Sequence, residues 1–266
     1  LADLSPISLW KRFLAQPIDS RGKTIAAALI VSATCALLVT SATVILRPIQ
    51  QANRAAEQQV RLEALISAIP GMREVMGRAG GGALSTVVVD LEAARAAPDV
   101  TPETLPAALD APENWTPLSP EQDMAMIGSR PNLMQVFFLR DGEDISLAIL
   151  PIYGSGYNGP IEAMIALQGD MNTIAGLTVT AQEETPGLGA RIEEPAWQAS
   201  FAGKRIADDA GAVRFTVARG RASGAFEVDG ITGATRTSNA MTRIVRFWVG
   251  PDGYGPLLAA IRKGEF

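Results

Sequence analysis

The longest apolar run in the chain reads TIAAALIVSATCALLVTSATVIL, from Thr24 to Leu46, between Lys23 and Arg47. It carries no charge. At about 1.5 Å per residue a helix of this length reaches roughly 35 Å, enough to cross the hydrocarbon core of a bilayer. Ala26, Ala27, Ala28, Ser32, Ala33 and Ala36 are small and suit close packing against neighbouring helices, and the Ser and Thr hydroxyls can bond back to the helix. A cleaved signal peptide is the alternative, but this run is longer than a signal's apolar region and the charged leader before it is long. The pattern then turns polar and helix-prone from Arg47 to Ile69, the expectation being a stalk that Ile69-Pro70-Gly71 stops.

Beyond a glycine hinge at 80–82 the apolar positions come in short runs. A strand is expected at Ser85–Leu91, followed by an extended surface segment where prolines crowd between Pro98 and Pro120. Further strands are expected at Gln135–Leu139, Ile145–Leu150, Ile161–Leu167, Ile174–Ala181 and Ala212–Ala218. Turns such as Asp141-Gly142 and Gly169-Asp170 separate them. A short helix fits Glu193–Phe201. A longer one fits Ser238–Val249, where Met241, Ile244, Val245 and Trp248 share one face and Ser238 or Thr237 serves as N-cap. Trp197, Trp248 and Tyr254 read as core residues. The sum is an α+β domain behind a single transmembrane helix. The expected organisation is a tail at 1–23, a span at 24–46, a stalk at 47–70, a Gly/Pro-rich accessory region at 71–130 and a ligand-binding domain at 131–266.

Composition sharpens this picture by exclusion. Hydrophobic residues make up 47% of the 266 positions, and mean hydropathy is +0.15, in keeping with a chain that meets lipid. Net charge is −5 with no basic stripe, which argues against nucleic acid as a partner. There is no histidine and one cysteine, Cys35. The chain alone therefore cannot build a zinc site, an iron–sulfur cluster, an intrachain disulfide or a Cys–His pair, and no metal ligands or catalytic residues are expected. Cys35 reads as a small apolar filler. Lys11, Arg12, Arg21 and Lys23 precede the span, while Arg47, Arg54 and Arg61 follow it. This thin bias favours a cytoplasmic N-terminus with the C-terminal part exported.

Candidate chemistry gathers in Asp229-Gly230-Ile231-Thr232-Gly233-Ala234-Thr235. Thr235 stands just ahead of the expected helix, whose N-terminal N–H groups and dipole favour a phosphate. Gly230, Gly233 and Ala234 leave the backbone open to a bulky group. A capped turn alone would not call for two threonines around Gly-Ala. A second glycine-bearing loop, Glu184-Thr185-Pro186-Gly187-Leu188-Gly189, follows the strand ending at Ala181.

These two stretches resemble known signatures. DGITGAT resembles the flavinylation motif Asp-x-x-(Ser/Thr)-Gly-Ala-Thr, in which a flavin transferase links FMN through its phosphate to the last threonine. The resemblance implies covalent FMN on Thr235, with Asp229, Thr232, Gly233 and Ala234 as further motif residues. ETPGLG resembles the loop of the FMN-binding subunits of two respiratory complexes, the sodium-translocating NADH:quinone reductase and the RNF complex. It implies cofactor contacts by Glu184, Thr185, Gly187, Leu188 and Gly189. PIYGSGYNG (Pro151–Gly159) and FWVGPDGYGPLL (Phe247–Leu258) resemble features of the covalent-FMN subunit of the former complex, as does the long N-terminal part. The middle region, 71–130, is only loosely similar. Three positions depart from the pattern. Thr232 stands where serine is frequent, Gln182-Glu183 where a histidine commonly precedes the loop, and Tyr157-Asn158 where a Leu-Trp pair often follows.

The resemblance implies a membrane-anchored electron carrier of a sodium-pumping NADH:ubiquinone oxidoreductase, relaying electrons from an iron–sulfur centre to another flavin. It would be a single-pass protein of the bacterial inner membrane, its flavin domain periplasmic. Its partners would be the other membrane subunits, lipid and, during maturation, the transferase. NADH binding by this chain is not expected, because no Gly-x-Gly-x-x-Gly unit with its trailing acid is read in it. An RNF-type subunit and a cofactor-free single-span scaffold are the alternatives.

Overall fold

The computed structural model describes residues 22–41, 43, 44, 46, 84–142 and 144–266. The expected tail before residue 22, the stalk with its Pro70-Gly71 stop, and the glycine hinge lie outside the described residues. The chain divides into two compact units, Leu1–Gln59 and Val60–Phe266.

In the first unit, helix α1 (Gly22–Ser41) has a hydropathy of 2.0 and none of it is buried, so it is long and apolar enough to cross a membrane. The Thr34 hydroxyl donates to the Ile30 carbonyl and that of Thr43 to the Val39 carbonyl, each at 2.8 Å. Both polar side chains are thereby satisfied within the helix. Cys35 is exposed on it as a free thiol.

The second unit is built on an antiparallel sheet. Its strands are β1 (Ser85–Asp90), β2 (Arg95–Ala96), β5 (Leu133–Asp141), β6 (Asp144–Ser155), β7 (Pro160–Gln168) and β8 (Ile174–Gln182), in the order β2-β1-β5-β6-β7-β8. The long strands sit where alternating apolar residues predict them. In β7, for example, Ile161, Ala163 and Ile165 turn inward while Pro160, Glu162 and Gln168 face out. The β7–β8 turn is fixed locally: Asp170 Oδ1 accepts from the Asn172 and Thr173 N–H groups at 2.9 and 2.8 Å.

Two expectations change. The proline-rich segment is not uniformly extended. It holds a short helix, α2 (Leu105–Ala108), a 3₁₀ turn (Pro112–Asn114), and the pair β3 (Trp115–Pro117) and β4 (Ser129–Pro131). Pro106 and Pro112 fall at the starts of their helical turns, where a missing N–H costs nothing. Leu105 anchors the segment by burial with Val88 and Leu133. The strand expected at Ala212–Ala218 shrinks to β9 (Thr216–Val217), parallel to β10 (Glu227–Val228). Asp208 accounts for the loss. Its Oδ1 takes the N–H groups of Ala210 and Ala212, and its Oδ2 takes Arg214 Nε, which curls the chain out of extension.

One face of the sheet is covered by α3 (Pro195–Ala199), α4 (Thr235–Val249) and α5 (Gly255–Arg262). Met241, Ile244, Val245 and Trp248 are all buried, as the helical spacing predicts. Gly154 on β6 lets α4 come close, since a Cβ there would lie 2.7 Å from Ile244 Cγ1. Trp248 Nε1 donates to the Tyr153 carbonyl at 2.6 Å and the Tyr254 hydroxyl to the Pro151 carbonyl at 2.8 Å. Each aromatic thus buries its ring while its polar tip finds β6. Trp197 is also buried, and its Nε1 donates to the Asp229 carbonyl at 2.8 Å.

Candidate functional site

Helix α4 begins three residues before its expected start, and this decides the site. Thr235 is its first residue, and the N-cap is Ala234, at φ −125° and ψ 48°, with no side-chain cap. Neither expected cap serves. Ser238 Oγ instead accepts from the Ile231 N–H at 3.2 Å, and the Thr237 hydroxyl donates to Glu184 Oε2 at 2.5 Å. Gly233, at φ +81°, turns the chain into the helix a turn early. The first N–H groups of α4 therefore stay without a side-chain acceptor, at the end where the dipole is equivalent to roughly half a positive charge. Thr235 is exposed there.

Beside Thr235 opens a cavity of about 300 Å³, formed by three segments: Tyr157 from the β6–β7 hairpin, the loop after β8, and the turn into α4. The loop brings Glu184, Thr185, Leu188 and Gly189; the turn brings Gly233, Ala234, Thr235, Arg236 and Thr237. The rim is apolar and cationic. Tyr157 and Leu188 are 53% and 46% exposed, and the Arg236 guanidinium lies 4.7 Å from the Tyr157 ring centroid. A phosphate at the uncapped helix end and a flat ring against an exposed aromatic and leucine fit these walls. The volume is at the low end of roughly 300–1,000 Å³ for ligand sites, so an occupant as large as FMN is only partly covered.

Under the rim lies one buried acid. Glu184 is 4% exposed. Its Oε1 accepts from the N–H groups of Tyr157 at 2.6 Å and Asn158 at 3.2 Å, and its Oε2 from Thr237. Glycines make room for it: a Cβ on Gly156 would press on Oε1, and one on Gly189 would lie 2.7 Å from Oε2. The Asn158 amide also donates to Thr185 Oγ1 at 2.8 Å.

Three of the residues named from sequence stand apart. Gly187 is exposed at φ +74° and does not line the cavity. Asp229 and Thr232 line a second cleft of about 260 Å³, together with Arg191, Glu194 and Trp197. Asp229 Oδ1 accepts there from the Ala222 N–H at 2.5 Å, tying the 218–224 loop to the turn. Sequence reasoning misses Tyr157, Arg236 and Thr237 as cavity residues. Arg236 adjoins Thr235 in the chain, Tyr157 lies within PIYGSGYNG, and Thr237 reads from spacing as a cap. The spacing Gly154-x-Gly156-x-x-Gly159 does occur, contrary to expectation. It lies in the β6–β7 hairpin, where Ser155 pairs with Pro160 and no helix follows, so it lacks the strand-to-helix setting of a dinucleotide site. Among the described residues no group of three or more His, Cys, Asp or Glu is placed to hold a metal.

Residues 156–250 match the FMN-binding domain family, which sets the cavity, both loops and α4 within that class. The chain is 35% identical to the Na(+)-translocating NADH-quinone reductase protein NqrC of Yersinia pestis over 92% of its own length and 95% of the relative's. It is 33% identical to the NqrC of Vibrio anguillarum over 94% and 99%. The chain belongs to the NqrC family of Na(+)-translocating NADH-quinone reductase subunits. The crystal structure of Shewanella oneidensis NqrC has the same fold, with a TM-score of 0.65 at 24% identity, covering 78% of this chain and 98% of that one.

Proposed function

We propose that this chain is the membrane-anchored electron carrier of a sodium-pumping NADH:ubiquinone oxidoreductase, bearing FMN bound through its phosphate to the hydroxyl of Thr235. The observation that carries the reading is an exposed threonine at the first position of an uncapped helix, opening on a cavity that fits a flavin nucleotide. In attachment, the Thr235 oxygen forms a bond to the phosphorus of a flavin dinucleotide. The bond to the adenylate half breaks, adenylate leaves, and the hydroxyl proton passes to a base on the transferase. An unaided alkyl hydroxyl is a poor nucleophile, so base and metal belong to that enzyme. Gly233 and Ala234 keep the approach to Thr235 clear. When bound, the flavin supplies electron transfer. The chain's part is to hold it partly exposed, between the α4 N-terminus and the Tyr157–Leu188 rim, within reach of an iron–sulfur donor and a flavin acceptor on partner subunits.

In this reading residues 24–46 span the bacterial inner membrane and contact lipid. The tail at 1–23 is cytoplasmic, and the stalk at 47–70, the region 71–130 and the flavin domain at 131–266 are periplasmic. A covalent link keeps the cofactor from escaping into that open compartment. Mass measurement of the peptide Glu227–Arg236, from protein made with the transferase, tests the assignment. It should be heavier by one FMN esterified with loss of water, and the denatured band should fluoresce yellow-green. An unmodified peptide and a colourless band would instead indicate a cofactor-free scaffold.

A further inference from the structure

Glu184 enters the sequence pattern only as part of a loop, yet its carboxylate is the one point where all three walls of the cavity meet. Its two oxygens accept from the Tyr157 and Asn158 N–H groups on the β6–β7 hairpin and from the Thr237 hydroxyl on the first turn of α4. Its own backbone lies in the loop after β8, where its N–H donates to Gln182 Oε1 at 2.6 Å. Gly156 and Gly189 vacate the space its oxygens occupy. A buried charge persists when its hydrogen bonds are met, and here two backbone donors, a hydroxyl and a helix N-terminus meet them. We infer that Glu184 is a positioning residue: it clamps hairpin, loop and helix into one cavity and places a fixed negative charge in the wall beside the flavin, which lowers the flavin's midpoint potential.

The inference rests on the placement of FMN at Thr235. Adding an electron beside a fixed negative charge costs energy, and that cost grows where water is excluded. Arg236, at the rim, is the cation nearest in sequence to the linkage and opposes the effect. Gln at position 184 keeps an acceptor for Tyr157 and Asn158 and offers its amide N–H to the Thr237 oxygen, so it retains the clamp and removes the charge. Ala removes both.

The test uses the full chain in detergent, with the mass of the Thr235 peptide measured first. A wild-type peptide without flavin defeats the functional reading itself and is recognised at that step. With flavin attached to wild type, Glu184→Gln should still carry it, and redox titration should give a higher midpoint. In flavin-free protein, Glu184→Ala should speed exchange of the Tyr157 and Asn158 amide hydrogens by about tenfold or more, as loss of bonds to a charged acceptor requires. Glu184→Gln should restore slow exchange. A loaded Glu184→Gln with an unmoved or lower midpoint overturns the charge role, as does loss of attachment in that variant. Unchanged exchange in Glu184→Ala overturns the clamp.

Discussion

At the scale of single residues, the two threonines of the turn have different surroundings. Both are exposed, but Thr235 opens on the cavity at the helix N-terminus, while Thr232 lines the cleft beside Trp197. Thr235→Val keeps the side-chain shape and removes the only oxygen that can take the phosphate. The variant should fold and insert but carry no covalent flavin, with electron flow to quinone abolished. Thr232→Val should retain flavin, because its hydroxyl is not the one linked. Intact mass of both variants decides between them, and the reverse pattern would move the linkage to Thr232. Tyr153 and Tyr254 make a separate residue-scale prediction. Burial, with Glu162 adding to it, pushes the Tyr153 phenol from 10.0 up to about 12. Burial and then the neighbouring Tyr153 push Tyr254 up as well. Each phenol keeps its proton longer in the folded state. The stability this provides is complete below pH 10 and is lost as pH rises through the window from 10 to about 12. The loss approaches about 1.4 kcal/mol per pH unit for each tyrosine. Urea midpoints should therefore fall across that window, and less steeply in Tyr153→Phe. A midpoint that stays level through it would mean the phenols ionise freely in the fold.

At the scale of elements, Gly187 shows how a loop can matter without touching the site. Its φ of +74° is a conformation a β-branched residue resists, although a Cβ there meets nothing within 4 Å. Gly187→Val should therefore act through backbone strain, at about 1–2 kcal/mol, by moving Leu188 and Gly189. The flavin's visible circular dichroism should change while the melting cooperativity of the domain persists. An unchanged spectrum in a folded variant would separate this loop from the flavin. The same region marks what the sequence made legible. The four central strands, the face of α4 and the chemistry of Thr235 could be read from alternation, helical spacing and a short motif, because each is a local property. The early start of α4 could not, since it depends on Ser238 and Thr237 being drawn into tertiary bonds with Ile231 and Glu184. Nor could the convergence on Glu184, whose partners Tyr157 and Thr237 lie 27 and 53 residues away along the chain. Helix α5 escapes notice because it is only 8 residues long, and Leu257 and Leu258 alone mark its buried side.

At the scale of the whole molecule, the chain joins two units with opposite solvent requirements. Helix α1 leaves its apolar side chains exposed, with Leu29, Leu37, Leu38 and Val39 each at least 66% exposed. Water would penalise such a surface by roughly 25 cal/mol per Å² of apolar area, and a bilayer would remove that penalty. The second unit closes its own core. Phe138, Phe201, Phe215, Trp248 and Tyr254 are fully buried, and its large exposed apolar side chains are scattered. Of the net charge of −5, residues 1–23 hold +2, so the remainder carries −7, a balance that favours solubility once the anchor is gone. Removing residues 1–46 should therefore yield a protein that fractionates with the soluble phase without detergent, melts cooperatively and, expressed with the transferase in the periplasm, still takes flavin on Thr235. Ultracentrifugation followed by in-gel fluorescence reads both properties from one sample. Sedimentation of the truncated chain with membranes would show that a second element binds lipid and that the single-span arrangement is wrong. A soluble, folded but colourless fragment would show that the transferase needs the anchor to reach the threonine.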